Sequence, residues 1–281
     1  DLKAKKAGEL FDKVRRGKAD ADERALFRAQ MLTEMARMSV DDGLVLQIHP
    51  GSWRNHSPSM LARFGRDKGF DIPTRTDYVA APMNNLGCVL AFEKLCGVEA
   101  PERAQYWRVI MSELARIASH LVWLGTHALD IGALSMSLYC FRERELILDL
   151  FETFCGARLT TNMMEIGGFS RPIPENMPGM VRDFLHVFPE RQQEYADLLS
   201  ANPIWMSRTK GVGVIPADVA INYSLTGACL RGSGVNYDIR KAMPYLVYDR
   251  LDFEVPLGAH GDTYDRYLVR MEEMRQTISI I

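Results

Sequence analysis

The stretch PERAQYWRVIMSELARIASHLVWLGTHALDIG, residues 101–132, carries the strongest structural signal in the chain. Its apolar side chains repeat at the 3.6-residue spacing of one helix face. They are Tyr106, Ile110, Leu114, Ile117, Leu121, Leu124 and Ala128. Pro101, just before them, suits the first turn of a helix. An apolar stripe of this length predicts a long helix that packs inside a helical bundle.

Helical patterns continue on both sides of this stretch. A helix is predicted at 83–96, ended by Gly97, and another at about 142–155, ended by Gly156. Residues 174–200 predict two short helices separated by Pro189. A final helix from Thr263 places Tyr267, Met271, Met274, Ile278 and Ile281 on one side. Residues 251–255 alternate like a strand, so the sequence predicts a mainly α (α+β) fold with a small β element.

The first 80 residues have a different texture. Residues 22–38 carry apolar side chains at helical steps, and residues 44–48 form a short apolar run. Such a run is expected of a strand buried on both faces of a parallel sheet. Residues 51–73, with several glycines and prolines, predict a long basic loop.

Composition narrows the classes of protein. With 47% hydrophobic and 25% charged residues, the 281-residue chain can bury a substantial core. Its 34 basic and 36 acidic residues give a net charge of -2, which argues against nucleic acid as a partner. We find no run of the ~18–20 apolar residues that a bilayer-spanning helix needs. The five cysteines show no C-x-x-C spacing, which favours reduced thiols in the cytosol.

Several strings along the C-terminal part occur in the order of one known family: VEAPERAQ at 98–105, SHLVWLGTHALDIGA at 119–133, FRERE at 141–145, LRGSGV at 230–235 and YDRYLVRMEEMR at 264–275. With these strings the chain resembles, from residue 78 onward, the D-type subunit of the NADH:quinone oxidoreductases, the respiratory complex I family. That subunit is related to the large subunits of nickel-iron hydrogenases. The resemblance implies a hydrogenase-like helical bundle over 81–281, truncated at both ends.

The N-terminal strings DDGLVLQIHPGSWRNH at 41–56 and FGRDKG at 64–69 are similar to an internal piece of uronate isomerase, a metal-dependent (β/α)8 barrel. The resemblance implies that 1–80 is a helix-strand-loop fragment of such a barrel and that the chain is a fusion. It also makes His49 a metal-site histidine. A catalytic metal takes about three protein ligands, and this segment offers His49 and His56, so we expect no metal to be held.

The resemblance to the oxidoreductase subunit assigns a quinone cavity. Tyr78 matches the tyrosine that donates a hydrogen bond to the quinone, and Met83 and Thr126 line the same region. Asp130 matches the aspartate that pairs with a histidine of the missing N-terminal segment. From the residues alone, Tyr78 could equally be a packing residue. Asp130, near the negative end of a helix dipole, could instead be satisfied by backbone donors.

The run Arg142, Glu143, Arg144 and Glu145 has two interpretations. Alternating charge on a helix is commonly a solvated face, whereas the resemblance places these residues at the interface with the subunit that carries the terminal [4Fe-4S] cluster. Thr160 stands there where many relatives have a histidine. Residues 211–216 lack the third glycine of a nucleotide loop and predict an ordinary turn. The glycines of 230–235 indicate a close approach to a neighbouring chain element.

The resemblance implies a subunit that takes part in electron transfer from NADH to quinone, coupled to proton translocation. It implies no cofactor on this chain, quinone as substrate, and a peripheral location on the cytoplasmic side of the bacterial inner membrane. The implied partners are the cluster-bearing and other peripheral-arm subunits and the membrane-arm subunit at the quinone entrance. We expect the isolated chain to be inactive. The alternatives are a non-catalytic docking module, a hydrogenase large subunit and a uronate isomerase remnant.

Overall fold

The computed structural model describes residues 4–16, 18, 20, 22, 23, 26, 27, 82–159 and 161–281. The chain divides into two compact units, residues 1–78 and 79–281. In the first unit, α1 spans Ala4–Arg15, and residues 22, 23, 26 and 27 are helical, as the pattern at 22–38 predicts for them. The predicted strand at 44–48 and the predicted loop at 51–73 lie outside the described residues.

In the second unit, α2 spans Pro82–Cys96, which confirms the helix predicted at 83–96. Gly97 ends it with φ 65°, a conformation that glycine adopts without steric cost. On the buried face, the Glu93 carboxylate accepts hydrogen bonds from Nη1 and Nη2 of Arg108, at 2.9 and 2.7 Å, and from Gly167 N at 2.8 Å. Burial works in the opposite direction, but these donors hold the pKa of Glu93 below its usual value.

Two consecutive long helices form a hairpin. α3 spans Glu102–Ile131 and α4 spans Leu134–Cys155. The predicted stripe of α3 is buried at Leu114, Ile117, Leu121, Leu124 and Ala128, as expected for a bundle helix. Between the helices, the positive φ of 105° at Gly132 lets the chain turn within two residues.

The predicted start of α4 at residue 142 is wrong, because the helix already begins at Leu134. Its first two turns carry Leu134 and Leu138, which are 63% and 71% exposed. Apolar side chains on the outer face obscure the amphipathic pattern by which a helix is recognised from sequence. The predicted end at Cys155, followed by Gly156 with φ 79°, is confirmed.

The small β element lies elsewhere than predicted. β1, Met164–Glu165, pairs antiparallel with β2, Gly168–Phe169. The predicted strand at 251–255 is wrong, since these residues have no regular structure. The backbone N–H of Glu254 there donates to the Gln276 side chain at 3.0 Å instead of to a neighbouring strand.

Residues 174–200 also differ from the prediction. One helix, α5, spans Met177–Leu199 and runs through Pro189, so the prediction of two short helices is wrong. The loss of a backbone hydrogen bond at Pro189 is offset by the burial of Phe184, Phe188 and Tyr195 on the inner face.

Shorter helices follow before the last long one. They are α6 at Pro203–Thr209, α7 at Ala217–Asn222, α8 at Gly227–Gly232 and α9 at Ile239–Ala242, with a 3-10 turn at Tyr248–Arg250. α10 spans Thr263–Ile280 and confirms the predicted final helix. Its N-cap, Asp262, accepts a hydrogen bond from Asp265 N at 2.8 Å.

The core lies among α2, α3, α4, α5 and α10, where Tyr267 and Met274 of α10 are fully buried. The close approach predicted for residues 230–235 is confirmed, because a Cβ on Gly232 would lie 2.7 Å from Arg266 Cγ. The described part of the chain is therefore mainly helical with one small two-stranded sheet. The finer prediction of a hydrogenase-like bundle stays a prediction.

Candidate functional site

The C-terminal end of α3 carries two of the predicted site residues. Thr126 and Asp130 are four residues apart and therefore lie on one face of the helix, and both are exposed. The Thr126 hydroxyl donates to the carbonyl of Val122 at 2.8 Å. Because water can solvate the exposed Asp130 carboxylate, the helix dipole does not force it to find a protein partner.

His127, next to Thr126 on α3, lies between the side chains of Trp123 and Trp205, an arrangement that we call the aromatic slot. The sequence did not predict it. The His127 ring stacks on Trp123 with centroids 4.6 Å apart and meets the edge of Trp205 at 5.7 Å. Burial and the positive charge of Arg270 lower the pKa of His127, while Asp130 acts in the opposite direction. Residues three apart on a helix are neighbours, so the spacing of His127 and Asp130 could have indicated that the two side chains lie close together.

Arg270 of α10 also contacts Trp123: its guanidinium carbon lies over the Trp123 ring, 3.9 Å from the centroid. It donates to the Arg266 carbonyl at 2.9 Å. Burial lowers the pKa of Arg270. The C-terminal end of α3 therefore carries the exposed carboxylate of Asp130, and the Trp123 ring on the same helix is covered by the cation of Arg270.

An apolar rim surrounds the turn between α3 and α4. We call this set of exposed side chains the apolar rim: Leu129, Leu134, Leu138 and Phe141, which are 43, 63, 71 and 38% exposed. A carboxylate and a hydroxyl beside such a rim suit a ligand or partner that has both polar and apolar groups.

Of the other predicted site residues, the structure describes Met83 but not Tyr78, His49 or Thr160. Met83 lies on α2 and is 39% exposed. Tyr78 lies outside the described residues, and so do His49 and Thr160. The predicted convergence of Tyr78 and Asp130 stays a prediction. Within the part of the chain that the structure describes, no group of His, Cys, Asp and Glu side chains could hold a metal ion.

The charged run on α4 faces two environments. Glu143 is buried and accepts hydrogen bonds from Arg142 and from the Tyr195 hydroxyl of α5. Burial and the adjacent Glu143 raise the pKa of Tyr195, so the phenol stays protonated. Arg142 also bonds Glu194 at 2.8 Å. Glu143 therefore belongs to a buried contact between α4 and α5, whereas Arg142 beside it is exposed.

In the other half of the run, Glu145 is exposed and Arg144 is half-buried. Glu145 pairs with Arg158, which also donates to Asp149 at 2.6 Å and to Glu152 at 2.9 Å. The Arg144 guanidinium carbon lies 5.5 Å from the Phe141 ring centroid, next to the apolar rim. Such exposed pairs contribute little to stability.

Comparison with known proteins identifies the class first and then the family. Residues 130–281 match the family described as "Respiratory-chain NADH dehydrogenase, 49 Kd subunit". Among curated relatives, a D-type subunit of the NADH-quinone oxidoreductase of Chloroflexus aurantiacus is 56% identical over 214 residues, 76% of this chain and 52% of the relative. The D-type subunit of the Geotalea uraniireducens enzyme is 54% identical over 207 residues, 74% of this chain and 53% of the relative.

The helical unit is thus of the class of subunits of respiratory oxidoreductase complexes. The chain belongs to the family of the 49 kDa subunit of respiratory-chain NADH dehydrogenase, as the resemblance predicted. It spans about half the length of the curated relatives it matches.

A second family matches at the other end. Residues 1–96 match the family described as "Glucuronate isomerase", which supports the prediction of a chimeric chain. This match extends over α2, whose Asn85 and Glu93 make their contacts inside the second unit, with residues 163–168 and Arg108. Structurally, α2 therefore belongs with the helical unit.

Proposed function

We propose that residues 78–281 contribute to the quinone-binding cavity of an NADH:quinone oxidoreductase, beside the subunit that carries the terminal [4Fe-4S] cluster. Electrons that originate from NADH reach the quinone from that cluster, and the transfer is coupled to proton translocation. One observation carries the proposal: the exposed Thr126–Asp130 face stands beside the apolar rim, in a chain whose relatives are D-type subunits of such enzymes.

The chemistry assigns distinct tasks to the side chains. A quinone takes up electrons and protons in equal number when it becomes a quinol. The Tyr78 phenol, with an ordinary pKa near ~10, can donate a hydrogen bond to a quinone carbonyl at neutral pH. Asp130 orients the histidine that relatives supply, and Thr126, Met83 and the apolar rim face the headgroup and the isoprenoid tail.

The proposal includes the surroundings of the subunit. The exposed part of the run 142–145 faces the cluster-bearing subunit, and other peripheral-arm subunits and the membrane-arm subunit at the quinone entrance are further partners. The location is peripheral, on the cytoplasmic side of the bacterial inner membrane. Among the helices that the structure describes, none has the length and apolar character to cross a bilayer.

A grafting experiment tests the proposal. Residues 78–281 replace the matching segment of the Chloroflexus aurantiacus relative, which is 56% identical, in the assembled complex. We expect quinone reductase activity to persist and Tyr78→Phe to lower it about 10²-fold. Electron transfer from NADH to an artificial acceptor upstream of the quinone should not change. Tyr223→Phe, at a 78% exposed tyrosine, is the matched control.

An inactive graft, or equal effects of the two tyrosine substitutions, would contradict the proposal. The isolated chain should bind decylubiquinone weakly and reduce none, since it spans about half of its relatives. Tight, Tyr78-dependent binding by the chain alone would contradict this expectation.

Two observations favour other roles. The α4–α5 network and the apolar rim would also serve a docking module without catalytic residues. Retained binding of the cluster-bearing subunit by a graft that lacks quinone reductase activity would favour this role. The match at 1–96 suggests a uronate isomerase remnant, but a (β/α)8 barrel takes about 250 residues. Bound metal that is lost on His49→Ala would support the remnant.

A further inference from the structure

A buried ionic cluster connects α3 to α10 and to the segments between α8 and the 3-10 turn. At one end lies Glu113 of α3, which is fully buried. Its carboxylate accepts hydrogen bonds from Arg240 Nη1 at 3.0 Å, Tyr248 Oη at 2.6 Å and Thr277 Oγ1 at 3.0 Å. Arg116, one turn further along α3, donates to it at 3.1 Å. This carboxylate is saturated with donors.

At the other end lies Glu273 of α10, which is 1% exposed. Its Oε1 accepts a hydrogen bond from Arg231 Nε of α8 at 2.7 Å. Its Oε2 lies 2.7 Å from Nε2 of His120 on α3. Asp238 joins the two ends, because it binds Arg240 at 2.7 Å and lies 4.0 Å from Arg231.

The formal charges of the cluster cancel before His120 is counted. Three carboxylates face three guanidinium groups: Glu113, Asp238 and Glu273 against Arg116, Arg231 and Arg240. A neutral imidazole fits this balance, since its Nε2–H can donate to Glu273. A protonated imidazole would add one positive charge in a buried place, and Arg270 of α10 acts on His120 as a further positive charge. An uncompensated buried charge is costly.

We propose that the contact between His120 and Glu273 makes the packing of α10 on α3 sensitive to pH. The packing is most stable with a neutral imidazole, because uptake of a proton by His120 adds a positive charge that the balanced cluster does not compensate.

The titration behaviour of the two groups agrees with this geometry. Burial lowers the pKa of His120 and outweighs the opposite effect of Glu273, while Arg116 and Arg270 lower it further. Burial tends to raise the pKa of Glu273, but the hydrogen bond from His120 and the positive charges of Arg231 and Arg116 lower it to about 2. Glu273 therefore remains ionised over the range in which His120 titrates.

The sign of the pH effect follows. An unfolded histidine has a pKa of about 6.5, above that of folded His120, so the unfolded chain binds more protons below this pH. The stabilisation by neutral His120 is complete above about pH 6.5 and is lost as the pH falls toward the folded pKa. For one linked proton the unfolding equilibrium constant rises by up to about tenfold per pH unit in this window.

Titration of the full chain by NMR tests the proposal, with each histidine signal assigned by its His→Gln variant. His186, exposed on α5, is the matched control. We expect His120 to titrate below the ordinary histidine pKa of about 6.5. In urea unfolding between pH 7 and pH 5, His120→Gln keeps a donor without a titrating proton. This substitution should abolish the rise in the unfolding equilibrium constant, which is up to about tenfold per pH unit. The His186→Gln substitution should leave the pH dependence of unfolding unchanged.

Two results would overturn the proposal: titration of His120 at or above the ordinary histidine value of about pH 6.5, or unchanged pH dependence in His120→Gln. If His120→Gln does not fold, the titration of the unmodified chain, with His120 assigned by exclusion from the other variants, decides the question.

Discussion

Asn85 illustrates how a single buried polar side chain fixes the path of a segment far along the chain. Its Nδ2 donates to the carbonyl of Met164 at 2.9 Å, and its Oδ1 accepts from the N–H groups of Met163 and Met164 at 3.2 and 2.7 Å. An amide supplies the donor and the acceptor that this turn of backbone needs. The side chain thereby holds β1 against α2.

Asn85→Asp should lower the free energy of unfolding by about 1–3 kcal/mol, because a carboxylate cannot donate to the Met164 carbonyl. Urea unfolding followed by tryptophan fluorescence measures this change. Asn84→Asp, at an exposed position on the same helix, should change the free energy by less than about 0.5 kcal/mol. Similar effects of the two substitutions would show that the buried amide is not essential.

Gly258→Ala and Gly87→Ala should have opposite effects. A Cβ at Gly258 would lie 2.2 Å from the Gly232 carbonyl oxygen, so we expect a loss of about 1–3 kcal/mol or more in the free energy of unfolding. At Gly87, exposed on α2, nothing lies within 4 Å of the added methyl. Alanine should raise the free energy of unfolding there by up to about 1 kcal/mol. If alanine is tolerated at Gly258, the close approach to Gly232 is contradicted. If alanine at Gly87 is destabilising, the open space around that position is contradicted.

At the scale of elements, the α3–α4 hairpin depends on one small residue. A Cβ on Gly125 would lie 3.3 Å from both the Phe141 ring and the Ser137 backbone, so the absence of a side chain lets the two helices approach. In the first turns of α4, Met136 and Cys140 are buried in the core, while Leu134 and Leu138 are exposed. The apolar rim is therefore a consequence of how the two helices pack.

α5 shows tertiary packing that overrides a helix-breaking residue. Pro189→Ala should raise the free energy of unfolding by up to about 3 kcal/mol, because an exposed alanine restores a backbone donor and removes a steric clash. Glu190→Ala, at the next exposed position, should change it by less than about 0.5 kcal/mol. Denaturant titrations of both variants make the comparison. A less stable Pro189→Ala variant would mean that the proline favours the helix as it stands.

At the scale of the whole molecule, residues 79–281 form a compact unit of their own. We expect this fragment, produced alone, to be helical by circular dichroism and to have the same urea midpoint as the corresponding transition of the full chain. The reason is that α2 keeps both Asn85 and the buried pair of Glu93 with Arg108. A fragment that unfolds or aggregates would show that residues 1–78 contribute to its stability.

The amino-acid sequence was sufficient for the family, the mainly helical class and the long helix α3, because these depend on local periodicity and on strings of residues read in order. It also indicated the close approach at 230–235, since glycine allows backbones to meet. It failed for α5, for the start of α4 and for the place of the small sheet, where burial and distant partners outweigh local preference.

The same distinction holds for the site. Thr126 and Asp130 could be placed on one helix face from their spacing alone. The aromatic contacts of His127, the buried hydrogen bonds of Glu143 and the charge balance around His120 could not be predicted in this way. Their partners are distant in sequence: Tyr195 lies 52 residues from Glu143, and Glu273 lies 153 residues from His120. Such contacts exist only once the helices have packed, and the low dielectric of that interior is what gives them their strength.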